Sequence, residues 1–207
     1  MNTIINEIKK YGYIAGHKGY TPGISGNISS RFEDKFIITA SGSANGYLED
    51  EDFCVIDSLG NTINSSKKPS SERYLHLEFY KKRKDINCIF HVHPPYLTAF
   101  ASSNAQLNDM VSPEIIYCFD KIPKADYALP GSEELVKNTS KHFLTNDVVL
   151  MKNHGIIIGA KDVKHAYLKL ELLEEYAKTI IFTKLLGGAN IIPDEEVQKI
   201  YSLKRGN

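Results

Sequence analysis

Asn87-Cys88-Ile89-Phe90-His91-Val92-His93-Pro94-Pro95 (NCIFHVHPP, 87–95) begins as a buried strand, takes in two histidines one residue apart, and stops at two prolines. Isoleucine, phenylalanine and valine make the run apolar, and proline ends it because it has no N–H to give to a ladder. Successive strand side chains point to opposite faces, so His91 and His93 project to one side and Val92 to the other. That side holds two imidazoles within reach of one ion. Taken alone, an H-x-H pair is more often two histidines hydrogen-bonded on a polar sheet face.

His154 changes the reading. It stands between Asn153 and Gly155 in DVVLMKNHGIIIGA (147–160), which reads as two apolar strands broken at a turn. A chelating pair plus a distant loop histidine gives the three protein ligands typical of a catalytic zinc, leaving a position open for substrate. The remaining histidines have plainer roles. His17 and His142 fall in predicted helices without a partner in sequence, and His165 lies near the start of the long helix, so all read as surface or structural. His76 lies four residues after Glu72, on the same helical face. Such a pair can ligate a metal, but a supporting or structural role for His76 is the commoner one. Glu72 follows Pro69, Ser70 and Ser71, in the first turn of a predicted helix, where a carboxylate complements the helix dipole.

Outward from the strand, the chain punctuates itself. Residues 3–19 set Ile4, Ile8, Tyr11 and Ala15 at helical spacing. TPGISGNISSRF (21–32), dense in Gly, Ser and Asn, precedes FIITASG (36–42) and FCVID (53–57), which read as short strands, with Gly60-Asn61 in a turn. KPSSERYLHLEFYKKR (68–83) reads as a helix capped by Ser70 or Ser71 and ending in basic residues. YLTAFASS (96–103) is a short helix, EIIYCF (114–119) a strand candidate, and Gly131-Ser132 opens a further helix. A long helix runs from Asp162 to Leu186 and stops at Gly187-Gly188, and Pro193 starts a last short one. Adjacent strands among helices predict a sheet covered by helices, without parallel β-α-β winding throughout.

Composition excludes several classes. The chain has 207 residues, enough for one sizeable core, and we expect one domain over 1–207. Lys+Arg and Asp+Glu both number 25, so no global field favours nucleic acid or an anionic membrane, and any anion must be bound locally. The three cysteines, Cys54, Cys88 and Cys118, are scattered, which argues against a disulfide framework and a cysteine zinc knuckle. With no signal peptide pattern and no apolar run long enough to span a bilayer, a soluble cytoplasmic protein is the expectation. Local anion binding has three candidate loops: SGNIS around Gly26 and Asn27, ASGS around Ser41 and Gly42, and KPSSE around Ser70 and Ser71. Hydroxyls, an amide and backbone N–H groups of this kind can cradle a phosphate.

SGNISSR, ITASGS, KPSSERYLHLEFYKKR, IFHVHPPYLTAFA, IPKADYALPGSEEL and LMKNHGIIIG follow one another in an order that resembles the class II aldolase/adducin-head family, closest to its sugar-phosphate aldolases. The likeness runs from about Ile4 to about Ala177. It implies a three-layer α/β/α fold with a central, largely antiparallel sheet, in a homotetramer with active sites at subunit interfaces. It implies one zinc ion per chain on His91, His93 and His154, with Glu72 both a ligand of the resting zinc and the catalytic acid/base. Phosphate contacts map to Asn27, Ser41, Gly42, Ser70 and Ser71. The implied reaction cleaves a small ketose 1-phosphate, of the fuculose 1-phosphate kind, into dihydroxyacetone phosphate and an aldehyde through a metal-stabilised enediolate. The family also holds sugar-phosphate epimerases, a dehydratase and the non-catalytic adducin head, which are the alternatives. Its aldolases use a tyrosine to protonate the leaving aldehyde. SPEIIYCFDKIP is shorter than the matching aldolase segment, and Tyr117, Tyr127 and Tyr201 are the candidates. Lys152, near His154, reads as a solvated lysine rather than a Schiff-base residue.

Overall fold

The computed structural model describes residues 1–119 and 121–206. β5 (Cys88–Val92), the strand quoted above, is buried along its whole length. It lies antiparallel between β1 (Asn27–Phe32) and β8 (Gly155–Ala160). From β1 the sheet continues through β2 (Lys35–Thr39), β3 (Phe53–Ile56) and the short edge strand β4 (Thr62–Asn64), all antiparallel. From β8 it continues through β7 (Val148–Met151), antiparallel, to β6 (Lys124–Ala125), which pairs with β7 in parallel. The order β4-β3-β2-β1-β5-β8-β7-β6 gives one eight-stranded, largely antiparallel sheet.

Helices cover both faces. On one lie α1 (Asn2–His17), α3 (Pro95–Ser102) and α6 (Val163–Leu185), around a core of Ile28, Ile37, Phe90, Val92, Ile156, Ile158 and Leu170. On the other lie α2 (Arg73–Lys82) and α5 (Glu133–Ser140), over Ile38, Ile89, Val149, Ile157, Phe79 and Phe143. α4 (Pro113–Cys118) packs on α6 and on the C-terminal α7 (Asp194–Gly206). The period of two decides which residues face which layer. Phe90 and Val92 turn to the α6 side, so His91 shares the α2 side with Ile89. By the same alternation Asn27 and Ser29 of β1 flank Ile28 and face α2. Among the described residues no helix is long and apolar enough to cross a membrane.

Two sequence expectations need correction, and one strand had no distinct expectation of its own. EIIYCF is the helix α4, because Ser112 caps it by accepting from the Ile115 N–H and Pro113 presets its first turn. The polar stretch NISSRF is a central strand, although nothing in it alternates cleanly. Glu72 precedes α2 as its N-cap residue, and neither Ser70 nor Ser71 caps the helix; Ser70 Oγ instead accepts the Glu72 N–H at 3.2 Å.

Candidate metal centre

His91 sits in β5 opposite Asn27 and Ile157, while His93 lies just beyond the strand's end. His154 occupies the β7–β8 turn, which is shaped by Asn153 at φ 53°. The three rings meet, with centroids 4.9 Å apart for His91–His93, 4.7 Å for His91–His154 and 5.2 Å for His93–His154. One ring nitrogen from each lies within 4.8 Å of the others. Glycines let the backbones come this close. A Cβ on Gly155 would stand 2.2 Å from His93 Cδ2, and one on Gly26 (φ 75°) would stand 2.6 Å from the His91 carbonyl oxygen. Asn45, fully buried, holds the Gly26 loop by donating to the Ser25 and Gly26 carbonyls, each at 3.0 Å.

Glu72 closes the cluster. Its Oε2 lies 2.9 Å from His91 Nε2, a nitrogen with no hydrogen-bond partner, and its Oε1 lies 3.5 Å from His154 Nε2. Asn27 donates from Nδ2 to Oε2 at 3.1 Å. The other nitrogen of His91 decides what fits here. Nδ1 donates to the Ile156 carbonyl at 2.8 Å, so the neutral ring presents a lone pair at Nε2 to a carboxylate oxygen. Two acceptors at that distance repel unless a cation lies between them. Either a proton on Nε2, which the raised His91 pKa favours, or a divalent ion meets the need. The bond from Nδ1 to a backbone carbonyl is also the usual support of a metal-bound imidazole. His93 Nε2, His154 Nδ1 and Glu72 Oε1 are likewise buried without a hydrogen-bond partner, so the donor set fits a divalent cation.

The electrostatics agree. Burial alone raises the Glu72 carboxyl, but the charge and contact of His91, then His154 and the Asn27 amide, outweigh it and hold Glu72 far below the usual range. Burial pushes His91 down, yet Glu72 outweighs it and the imidazole ends raised. His93 is pushed down to about 3, by burial first and then by His91 and His154. His154 falls to about 4, by burial and then His91. Glu72 therefore stays ionised and two imidazoles stay neutral, the forms a metal binds.

The predicted anion loops lie beside this cluster unevenly. Asn27 is buried and already engaged with Glu72. Ser70 is buried, and its oxygen serves the Glu72 backbone. Ser41, Gly42 and Ser71 are exposed, and Ser71 packs against Gly131. Arg73 spends its guanidinium on the Gly60 and Ser70 carbonyls, and Lys67 pairs with Asp52, so both cations are already engaged. Of the tyrosines, Tyr201 lines a cavity of about 360 Å³ with Met110, Phe119 and Tyr176, whereas Tyr117 and Tyr127 are exposed. Lys152 pairs with Asp126 at 2.7 Å. Sequence reasoning missed the Asn27–Glu72 bond and the full burial of His76. The only prior signal for the latter was its spacing from Glu72.

Residues 6–181 match the model of the class II aldolase and adducin N-terminal domain. An L-fuculose phosphate aldolase of Methanococcus maripaludis is 39% identical over 175 residues, covering 84% of this chain and 94% of that protein. A 3-oxo-tetronate 4-phosphate decarboxylase of Haemophilus influenzae is 34% identical over 188 residues, covering 88% and 89%. A solved L-fuculose 1-phosphate aldolase superposes with a TM-score of 0.90 at 31% identity, over 99% of this chain and 97% of that one. The chain belongs to the class II aldolase and adducin N-terminal domain family. Within it, the chain stands among the sugar-phosphate aldehyde-lyases.

Proposed function

We propose that this chain is a zinc-dependent aldolase that cleaves a small ketose 1-phosphate into dihydroxyacetone phosphate and an aldehyde. The observation that carries the reading is the lone pair of His91 Nε2 facing the Glu72 carboxylate inside a ring of three imidazoles. His91, His93 and His154 would hold the ion, with Glu72 a fourth ligand at rest. When bound, such an ion supplies a Lewis acid at the substrate's carbonyl and hydroxyl oxygens. Glu72 carries the proton: the hydroxyl on the leaving carbon gives up its proton as it becomes the aldehyde carbonyl, the electron pair of the broken carbon–carbon bond stays beside the remaining carbonyl, and the Glu72 carboxylate relays a proton to that carbon. Ionised at rest, it is in the form that takes up the proton in the reverse direction. Asn27 keeps the carboxylate aimed at the site.

Phosphate selection falls to Ser41, Gly42, Ser70, Ser71 and Asn27, through short hydrogen bonds rather than net charge. A homotetramer follows from the family resemblance, and the exposed Phe182, Leu185 and Leu186 at the end of α6 suit burial between subunits. The decarboxylase relative supports a second reading, loss of carbon dioxide from a 3-oxo acid phosphate. That step leaves the same electron pair beside a carbonyl and would use the same residues. The test offers zinc-loaded protein a panel of ketose 1-phosphates and 3-oxo-tetronate 4-phosphate, with detection of aldehyde and carbon dioxide. Aldehyde from a ketose 1-phosphate supports the first reading. Carbon dioxide alone establishes the second, and neither product contradicts both.

A further inference from the structure

Behind Glu72 lies a buried hydrogen-bond chain that the metal chemistry leaves unused. Glu72, His76 and Tyr80 lie four residues apart along α2 and share one face. Opposite them, Asn27 and Ser29 share one face of β1. Four helical residues rise about 6 Å and two strand residues about 6.7 Å, so the two rows stay in step. Asn27 meets Glu72 at 3.1 Å. One pleat further on, Ser29 Oγ meets His76 Nδ1 at 2.7 Å and the Tyr80 hydroxyl at 2.8 Å. Ser29, His76 and Tyr80 are each 1% exposed.

Neither contact fixes its own donor, and the polarity with the fewest unpaired groups has the Tyr80 hydroxyl donating to Ser29 and Ser29 donating onward to His76 Nδ1. The reverse polarity would leave both the Tyr80 hydrogen and the His76 Nε2 lone pair without partners. Under the favoured polarity His76 carries its own hydrogen on Nε2. That Nε2–H is buried without a partner, one turn from Glu72, whose Oε1 is also buried without one. A buried donor without an acceptor is costly, and such groups persist where they serve a second state.

We propose that His76 is a positioning residue whose Nε2–H receives the Glu72 carboxylate during turnover, its tautomer locked by Ser29 and Tyr80. The inference rests on the reading of Glu72 as the proton carrier. It makes His76 a donor of fixed polarity, which holds the carboxylate between proton transfers instead of letting it recoil into the cluster.

Two measurements test it. Nitrogen-15 NMR of metal-free protein, labelled in its histidines, should find His76 as the Nε2–H tautomer, and an Nδ1–H tautomer overturns the proposal without any variant. The second is steady-state kinetics of His76→Leu and His76→Gln, with metal stoichiometry checked alongside. His76→Leu should lower kcat roughly tenfold to a hundredfold, the usual scale for support of an active group. KM and metal content should stay near wild type. His76→Gln, which keeps an amide donor near the Nε2 position, should recover most of the loss. In a Glu72→Gln background, His76→Leu should cost nothing further, because the two act as a unit. Wild-type kcat in a folded His76→Leu, while Glu72→Gln is crippled, overturns this inference alone. Wild-type turnover in Glu72→Gln overturns the proton-carrier reading and this inference with it.

Discussion

His76, His93 and His154 are neutral where the unfolded chain would protonate them, with values near 3, 3 and 4 against an ordinary 6.5. Burial is the leading cause for all three. A lowered imidazole pKa means that the unfolded state binds more protons. The stability these groups contribute is therefore complete above about 6.5 and is lost as pH falls toward 4. His91 runs the other way: its raised pKa contributes below the ordinary value, and that share is lost as pH rises through the folded one. Metal-free protein should thus show a Tm that falls steadily from pH 6.5 to pH 4 in thermal unfolding, and a flat profile would contradict the buried neutral rings. Ser71 gives a second residue-scale prediction. A hydrogen bond to a charged acceptor is worth roughly 1.5–3 kcal/mol. Ser71→Ala should then lower kcat/KM for a phosphorylated substrate about tenfold to a hundredfold, and leave metal content and the unphosphorylated sugar almost unaffected. Equal losses on both substrates would place the phosphate elsewhere. The histidines were legible in the sequence because strand alternation and an N-H-G turn are local patterns. Glu72 was only half legible: S-S-E reads as any helix start, and its burial depends on Asn27, 45 residues away.

Among the elements, α3 is held from outside. It starts at Pro95, two residues after His93, and no side chain of its own caps it. Glu174 of α6, 2% exposed, supplies the cap by accepting the N–H groups of Tyr96 and Leu97 at 2.8 and 2.9 Å. That contact ties the long helix to the turn that carries His93. Glu174→Leu would strand both donors in an apolar setting, and the expected loss is about 1–3 kcal/mol in denaturant unfolding, with weaker metal binding as His93 loosens. An unchanged midpoint would show that the cap is dispensable. β5, β7, β8 and α6 could be read from sequence because burial makes their apolar runs and periodicity strong. β1 could not, since Asn27, Ser29 and Ser30 hydrogen-bond across to α2 and Asn87 rather than pack. EIIYCF was misread because isoleucine and tyrosine favour strands, while the Ser-Pro-Glu before them sets a helix start.

At the scale of the molecule, one sheet brings together residues that are far apart in the chain. β1, β5 and the β7–β8 turn deliver Asn27, His91 and His154, and α2 sets Glu72 over them from the covering layer. The layered antiparallel architecture was foreseeable from the strand and helix pattern with the family resemblance. The short edge strands β4 and β6 were not, since three and two residues carry no period. The tetramer is a prediction at this scale, and light scattering on pure protein should return about four times the 23.3 kDa chain mass. A clean monomer would remove the shared-site reading. The most direct test of the whole account is elemental analysis of protein prepared without chelator. Wild type should carry one divalent ion per chain, zinc by our reading, and a folded variant with His91, His93 and His154 all changed to alanine should carry none. Unchanged metal stoichiometry in that variant would contradict the metal centre, and with it the chemistry assigned to Glu72.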